Sequence, residues 1–134
     1  MNAILSIKPE FVNEIVAGKK RFEYRKSIFK QPVEKVYIYA SSPVGRIVGE
    51  FTSGEILQDS PDRIWRRTSR YSGISKSFFD GYFKGRAEGY AIEILDFVHY
   101  EEPVNPYIHI MGFHAPQSFC YISESAMKNS SHEK

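Results

Sequence analysis

The apolar positions of this chain fall into short runs that switch between a period near two and a period near three and a half. Residues 2–7 hold Ile4, Leu5 and Ile7 in a near-continuous apolar run, the mark of a buried strand. Lys8 and Pro9 then open a helix, since proline suits the first helical position where its missing N–H has no partner. Phe11, Val12, Ile15 and Val16 lie on one face of that helix, and Gly18 ends it as a left-handed cap. From 20 to 25 the period drops to two, with Phe22 and Tyr24 facing one way and Arg21, Glu23 and Arg25 the other. Such a strand packs its aromatic face on a core and opens its ionic face to a cleft or to solvent. Residues 33–41 alternate again, with Val36, Ile38 and Ala40 opposite Tyr37 and Tyr39, and residues 41–45 form a turn. A long strand follows at 46–57, where Gly49 or Gly54 suits a bulge or bend.

Ser60 and Pro61 begin a short helix that turns Ile64, Trp65 and Thr68 inward. Ser75 caps a further helix whose buried side is filled by Phe78, Phe79, Tyr82 and Phe83 and which stops at Gly85. Residues 88–95 read as a strand that continues past a bend through 97–100. Pro103, Pro106 and Pro116 make 103–116 a loop with one short strand near 107–110, and a last strand occupies 117–122. Six or seven strands and two or three short helices without β-α-β alternation predict an α+β fold with a curved, mostly antiparallel sheet. Closure into a small barrel spares such a sheet its exposed edges. One domain therefore spans 1–122, and the polar, Ser-rich 123–134 is expected to be a disordered C-terminal tail.

Composition narrows the class. A chain of 134 residues suits one domain. It has no apolar run near the ~20 residues that cross a bilayer, and its first residues lack a signal-like pattern, so no membrane partner is expected. Cys120 is the one cysteine, which excludes an internal disulfide and fits a cytoplasmic location. His99, His109, His114 and His132 show no ligand spacing, and no phosphate loop or dinucleotide fingerprint is present, so neither a metal nor a cofactor is expected.

The net charge of +2 hides an uneven distribution. Residues 19–30 carry Lys19, Lys20, Arg21, Arg25, Lys26 and Lys30 against Glu23, and residues 62–70 carry Arg63, Arg66, Arg67 and Arg70 against Asp62. If the two segments meet in space they focus an anion onto one region; if not, they are two separate solvated faces. Arg63, Arg67 and Arg70 share one outward stripe, with Arg66 beside it, suited to a nucleic-acid backbone. Tyr71 next to them can stack on a base or simply pack.

The densest chemistry lies at Lys20, Glu23 and Arg25. Arginine offers a planar fork for phosphate, glutamate accepts from an exocyclic amine, and a desolvated lysine can serve as base or nucleophile. The alternative is an ordinary surface ion pair of little energetic weight. The string Gly18-x-Lys20-x-x-Glu23-x-Arg25, with the elements at 2–25, 41–51 and 75–95 in this order, resembles the ASCH domain of the PUA-like superfamily. The resemblance implies a PUA-like β-barrel whose cleft is lined by Lys20, Glu23 and Arg25, with Lys8, Ser41 and Ser42 nearby and Gln117 and Ser118 on the final strand beside it. It implies a ligand that is RNA or a nucleotide-like anion. Some small relatives are similar to amidohydrolases of acetylated cytidine that use a lysine, a threonine and a glutamate; the lysine matches Lys20, but Glu23 stands at the threonine position and Tyr71-Ser72-Gly73 at the glutamate. Others are ribonucleases, for which Lys20 and Glu23 are the catalytic candidates. A third reading is a scaffold that meets a protein partner through the Tyr37 and Tyr39 face.

Overall fold

The computed structural model describes residues 1–126. Its six strands are β1 (Asn2–Ile7), β2 (Phe22–Arg25), β3 (Lys35–Ala40), β4 (Arg46–Asp59), β5 (Gly89–Val104) and β6 (Phe119–Ile122). The helices are α1 (Pro9–Val16), α2 (Pro61–Thr68), α3 (Lys76–Tyr82) and α4 (Pro106–His109), with a 3-10 turn at Ser69–Tyr71. Hydrogen bonding orders the strands β2-β5-β4-β3-β1-β6. The β1–β3 pair is parallel, while β1–β6, β2–β5 and β3–β4 are antiparallel. The α+β, mostly antiparallel architecture expected from the sequence is the one observed.

The chain forms two compact units, and β4 and β5 run through both. The first comprises 1–9, 31–52 and 96 onward. Its core joins Ile4, Tyr37, Tyr39, Ile47, Val104 and Ile122, with Ala126 packed against it. Tyr37 and Tyr39 are each 4% exposed, so the aromatic face required by the scaffold reading is core and not surface. Between Ile38 and Tyr39 the β3–β4 register slips by one residue, because Val48 bulges out beside Gly49. Gly49 is needed there: a Cβ would lie 2.5 Å from the Val98 carbonyl oxygen and 3.1 Å from the Phe97 ring.

The second unit comprises 10–30 and 53–95. Tyr24, Leu57, Ile64, Phe79, Phe83 and Ala91 form its core, bordered by Phe22, Trp65, Ile74 and Tyr82. Both expected N-caps are present: the Ser60 hydroxyl accepts from the Arg63 amide and the Ser75 hydroxyl from the Phe78 amide. Phe78, expected inside, is exposed and meets Phe11 edge-on at 5.1 Å.

One local expectation fails for a clear reason, and a second holds but reaches further than expected. No strand forms near 107–110. Asn105 instead accepts from the Tyr107 amide at 3.0 Å and Pro106 occupies the first helical position, which starts α4. The bend expected after residue 95 falls at Asp96, with φ of 49°, yet β5 continues beyond it through Pro103 to Val104. Residues 127–134 of the expected tail lie outside the described residues.

Candidate functional site

The end of α1 delivers Lys20 to a polar cluster inside the second unit. Gly18 turns the chain with φ of 77°, and the amides of Lys19 and Lys20 both donate to the Glu14 carbonyl at 3.0 Å. Lys20 then forms an antiparallel bridge with Ser72. The Arg21 amide donates to the Tyr71 carbonyl at 2.8 Å. These bonds fasten the first basic segment to the end of the second, fifty residues along the chain.

Strand β2 continues against β5, with Glu23 opposite Ile92 and Arg25 opposite Tyr90. Lys20, Glu23 and Arg25 are 2%, 6% and 8% exposed, so these three groups are buried and do not open to solvent; of the ionic face only Arg21 does. Lys20 Nζ lies 3.4 Å from Glu23 Oε1 and donates to the Ser72 carbonyl at 3.2 Å. It also sits over the Tyr24 ring, 4.7 Å from its centroid, and 5.8 Å from that of Phe11. Arg25 donates from Nε and Nη2 to Glu23 Oε2 at 3.0 and 2.6 Å. One carboxylate thus serves two cations, and the cluster holds an excess positive charge when all three groups are ionised.

Burial pulls the Lys20 ammonium below the usual lysine range; Glu23 works against that shift, and Arg25 adds slightly to it. Burial also pushes the Tyr24 phenol up to about 12, and its hydroxyl pairs with Thr68 Oγ1 at 2.8 Å. Tyr24 therefore supplies a neutral aromatic face beneath the Lys20 ammonium.

Beside the cluster lies an open recess of about 280 Å³ lined by Glu10, Phe11, Glu14, Gly73, Ile74, Ser75 and Phe78. Phe11 contacts Lys20, and Gly73 crowds it closely. Two carboxylates border this recess, so it is a poor receptor for phosphate.

The arginines sought as a backbone rail are exposed along α2 and the following turn. Arg63 reaches Asp59 at 4.0 Å and Arg67 reaches Glu55 at 3.9 Å, both loose solvent-facing pairs of small energetic weight. Arg21 is exposed as well, with its guanidinium over the Tyr71 ring at 4.0 Å from the centroid. Both basic segments thus belong to the second unit, which carries thirteen lysines and arginines against nine carboxylates and so holds the whole positive excess of the chain.

The remaining expected site residues belong to the first unit. Lys8 follows β1 directly, the Ser41 amide donates to the Ile7 carbonyl at 3.1 Å, and the Ser118 carbonyl accepts from the Ser6 amide at 3.0 Å. Lys8, Ser41 and Ser118 therefore gather at the end of β1, with exposed Ser42 and Gln117 as chain neighbours. Among the described residues no group of three or more His, Cys, Asp or Glu side chains could hold a metal ion, and no helix is long and apolar enough to cross a membrane.

Sequence reasoning missed the Ser72 carbonyl, the Phe11 ring and the Arg21–Tyr71 stack. The first is a backbone group without a residue-type signal. The other two depend on a pairing that has no periodicity to announce it.

The ASCH domain family model matches residues 5–103. The chain is 30% identical over 105 residues to the ASCH domain-containing ribonuclease of Zymomonas mobilis subsp. mobilis, covering 78% of this chain and 68% of that protein. It is 32% identical over 71 residues to the large ribosomal subunit protein uL22 of Ureaplasma parvum, 53% of this chain but only 23% of that one. A crystal structure of a tyrosine-to-phenylalanine variant of the Zymomonas mobilis ASCH protein matches with a TM-score of 0.85 at 26% identity, over 98% of this chain and 96% of the other. Motif, strand order and these likenesses agree, and the chain belongs to the ASCH domain family, within the PUA-like superfamily.

Proposed function

We propose that this ASCH domain binds RNA, or a nucleotide-like anion of the same chemistry, in the cytoplasm. The observation that carries the proposal is the joining of the two basic segments by the Lys20–Ser72 bridge and the Arg21–Tyr71 hydrogen bond. A concentrated positive field with an exposed stripe of arginines is what a phosphate backbone requires. In this reading Arg63, Arg66, Arg67 and Arg70 follow the backbone. Lys20, Glu23 and Arg25 form a rigid, positively charged floor beneath the bound strand. Lys8, Ser41, Ser42, Gln117 and Ser118 add polar contacts at the end of β1. The name of the Zymomonas relative, a ribonuclease, points to the same ligand class. Titration of a labelled single-stranded RNA by fluorescence anisotropy tests the proposal. Saturable binding that weakens steeply with salt supports it, and the absence of saturable binding at low salt overturns it; affinity unchanged in an Arg66→Ala, Arg70→Ala double variant removes the arginine stripe from the contact.

A second reading, RNA cleavage, is favoured by one observation. Lys20 is a lysine whose ammonium is destabilised by burial, and Glu23 lies 3.4 Å away. Such a pair can exchange a proton with a ribose hydroxyl or a leaving oxygen once the site opens to substrate. Incubation with end-labelled RNA separates the two readings. Cleavage by the wild type that is lost in Lys20→Met, with binding retained, favours the enzyme. Binding without turnover favours the binding module.

A further inference from the structure

Arg21 is held more firmly than an exposed side chain requires. Its amide donates to the Tyr71 carbonyl at 2.8 Å, and its own carbonyl accepts from the Ile94 amide at 2.9 Å. The backbone is therefore pinned on both sides, and the guanidinium rests on the Tyr71 ring at 4.0 Å. Tyr71 is the last residue of the 3-10 turn that ends the arginine stripe, with exposed Arg70 next to it. A guanidinium held over an aromatic face loses little further freedom on binding, and an exposed one offers a planar cation to a ligand.

We propose that Arg21, backed by Tyr71, is a stacking platform for one unpaired base of a single-stranded RNA, with Arg70 on the adjoining phosphate. The inference rests on the RNA-binding reading above and adds to it the form of RNA that is taken. Bases in a duplex bury both faces against their neighbours, whereas a splayed base offers a face to a planar cation. Every base has a π-face, so the platform selects strandedness and not sequence. Lysine cannot substitute, because an ammonium is a hydrated point charge with no plane to stack on.

The test uses the full chain and three labelled probes: a single-stranded oligoribonucleotide, the same strand annealed to its complement, and the same strand carrying abasic sites. The expected order of affinity is intact strand first, with the duplex and the abasic strand weaker by roughly tenfold or more, the scale of one stacked base. Arg21→Lys should lower affinity for the intact strand by a similar factor and change the abasic strand little, while its circular dichroism stays that of the wild type. Equal affinity of the wild type for intact and abasic strands overturns the platform, and this comparison requires no variant. Arg21→Lys matching the wild type on the intact strand also overturns it. In both cases RNA binding itself stands; if none of the three probes binds, the RNA reading falls and the platform with it.

Discussion

Arg25 grips Glu23 from two residues along the same strand, placing Nε and Nη2 on a single carboxylate oxygen at 3.0 and 2.6 Å and leaving the other oxygen to Lys20. Two cations share one anion among residues that are each less than a tenth exposed. The members of the cluster are therefore unequal, and substitutions should show it. Glu23→Gln strands two buried cations and should cost about 3–5 kcal/mol. Lys20→Met keeps the Arg25–Glu23 pair and removes the excess charge, so its stability should fall within about 1 kcal/mol of wild type or exceed it. Urea denaturation of the two variants checks the asymmetry, and equal losses would show that Lys20 is needed to neutralise Glu23.

The same burial makes stability depend on alkaline pH. Lys20 has a folded pKa below the unfolded 10.5, so the native state sheds its proton first. Below the folded value both states are protonated and the penalty of burying the charge is fully present. As pH climbs from there to 10.5 the penalty is relieved, and this group's contribution to stability rises. Tyr24 acts in the opposite sense: with a folded value of about 12 against 10.0 unfolded, it lowers stability as pH rises from 10 toward 12. The difference between wild-type and Lys20→Met unfolding curves isolates the first effect. Relative to the variant, the wild type should gain stability with rising pH below 10.5, and a flat difference would mean that Lys20 titrates normally.

Gly73 sits where the chain passes Lys20. Its φ is 67°, and a Cβ there would run into the Lys20 Cβ, with the Lys20 Cα at 3.0 Å. Gly73→Ala combines a left-handed backbone penalty of roughly 1–2 kcal/mol with forced displacement of Lys20. A thermal midpoint lowered by several degrees is expected. Gly81→Ala meets nothing within 4 Å and lies inside α3, so it should leave the midpoint unchanged or raise it.

Tyr24 links the cluster to α2. Its hydroxyl pairs with Thr68 Oγ1 at 2.8 Å, and that hydroxyl donates to the Ile64 carbonyl at 2.7 Å. The Thr68 proton is thus committed to Ile64, which makes Tyr24 the donor in the pair. Tyr24→Phe leaves the Thr68 oxygen one donor short inside the core and should cost about 1 kcal/mol, readable as a lower urea midpoint with an unchanged slope.

Periodicity carried much of this fold. The β1 run, the Pro9 start, the Ser60 and Ser75 caps and the alternation at 22–25 were all legible, because each rests on neighbours in sequence. The motif at Gly18, Lys20, Glu23 and Arg25 was legible as a constellation, but its burial was not. Alternation says that Glu23 and Arg25 share a face, not whether another layer covers it. The α4 turn was obscured by three prolines that read as loop, although Asn105-Pro106 is a cap followed by a first-turn proline. The meeting of the two basic segments rests on the Lys20–Ser72 bridge and the Arg21–Tyr71 contacts, and no local pattern encodes such pairs.

That meeting makes a quantitative demand on RNA binding. If Arg66 and Arg70 each neutralise a phosphate, each should contribute about 0.7 to the slope of log affinity against log salt for a single strand. Arg66→Ala and Arg70→Ala should each flatten the slope by that amount, and the double variant by about twice as much. Arg63 and Arg67 already lean toward Asp59 and Glu55 at 4.0 and 3.9 Å, so removing either should flatten the slope less. Anisotropy titrations over a salt series give all four values. Equal slopes for all variants would place the phosphates elsewhere, whereas larger losses at Arg63 and Arg67 would mean that their carboxylate partners let go when RNA arrives.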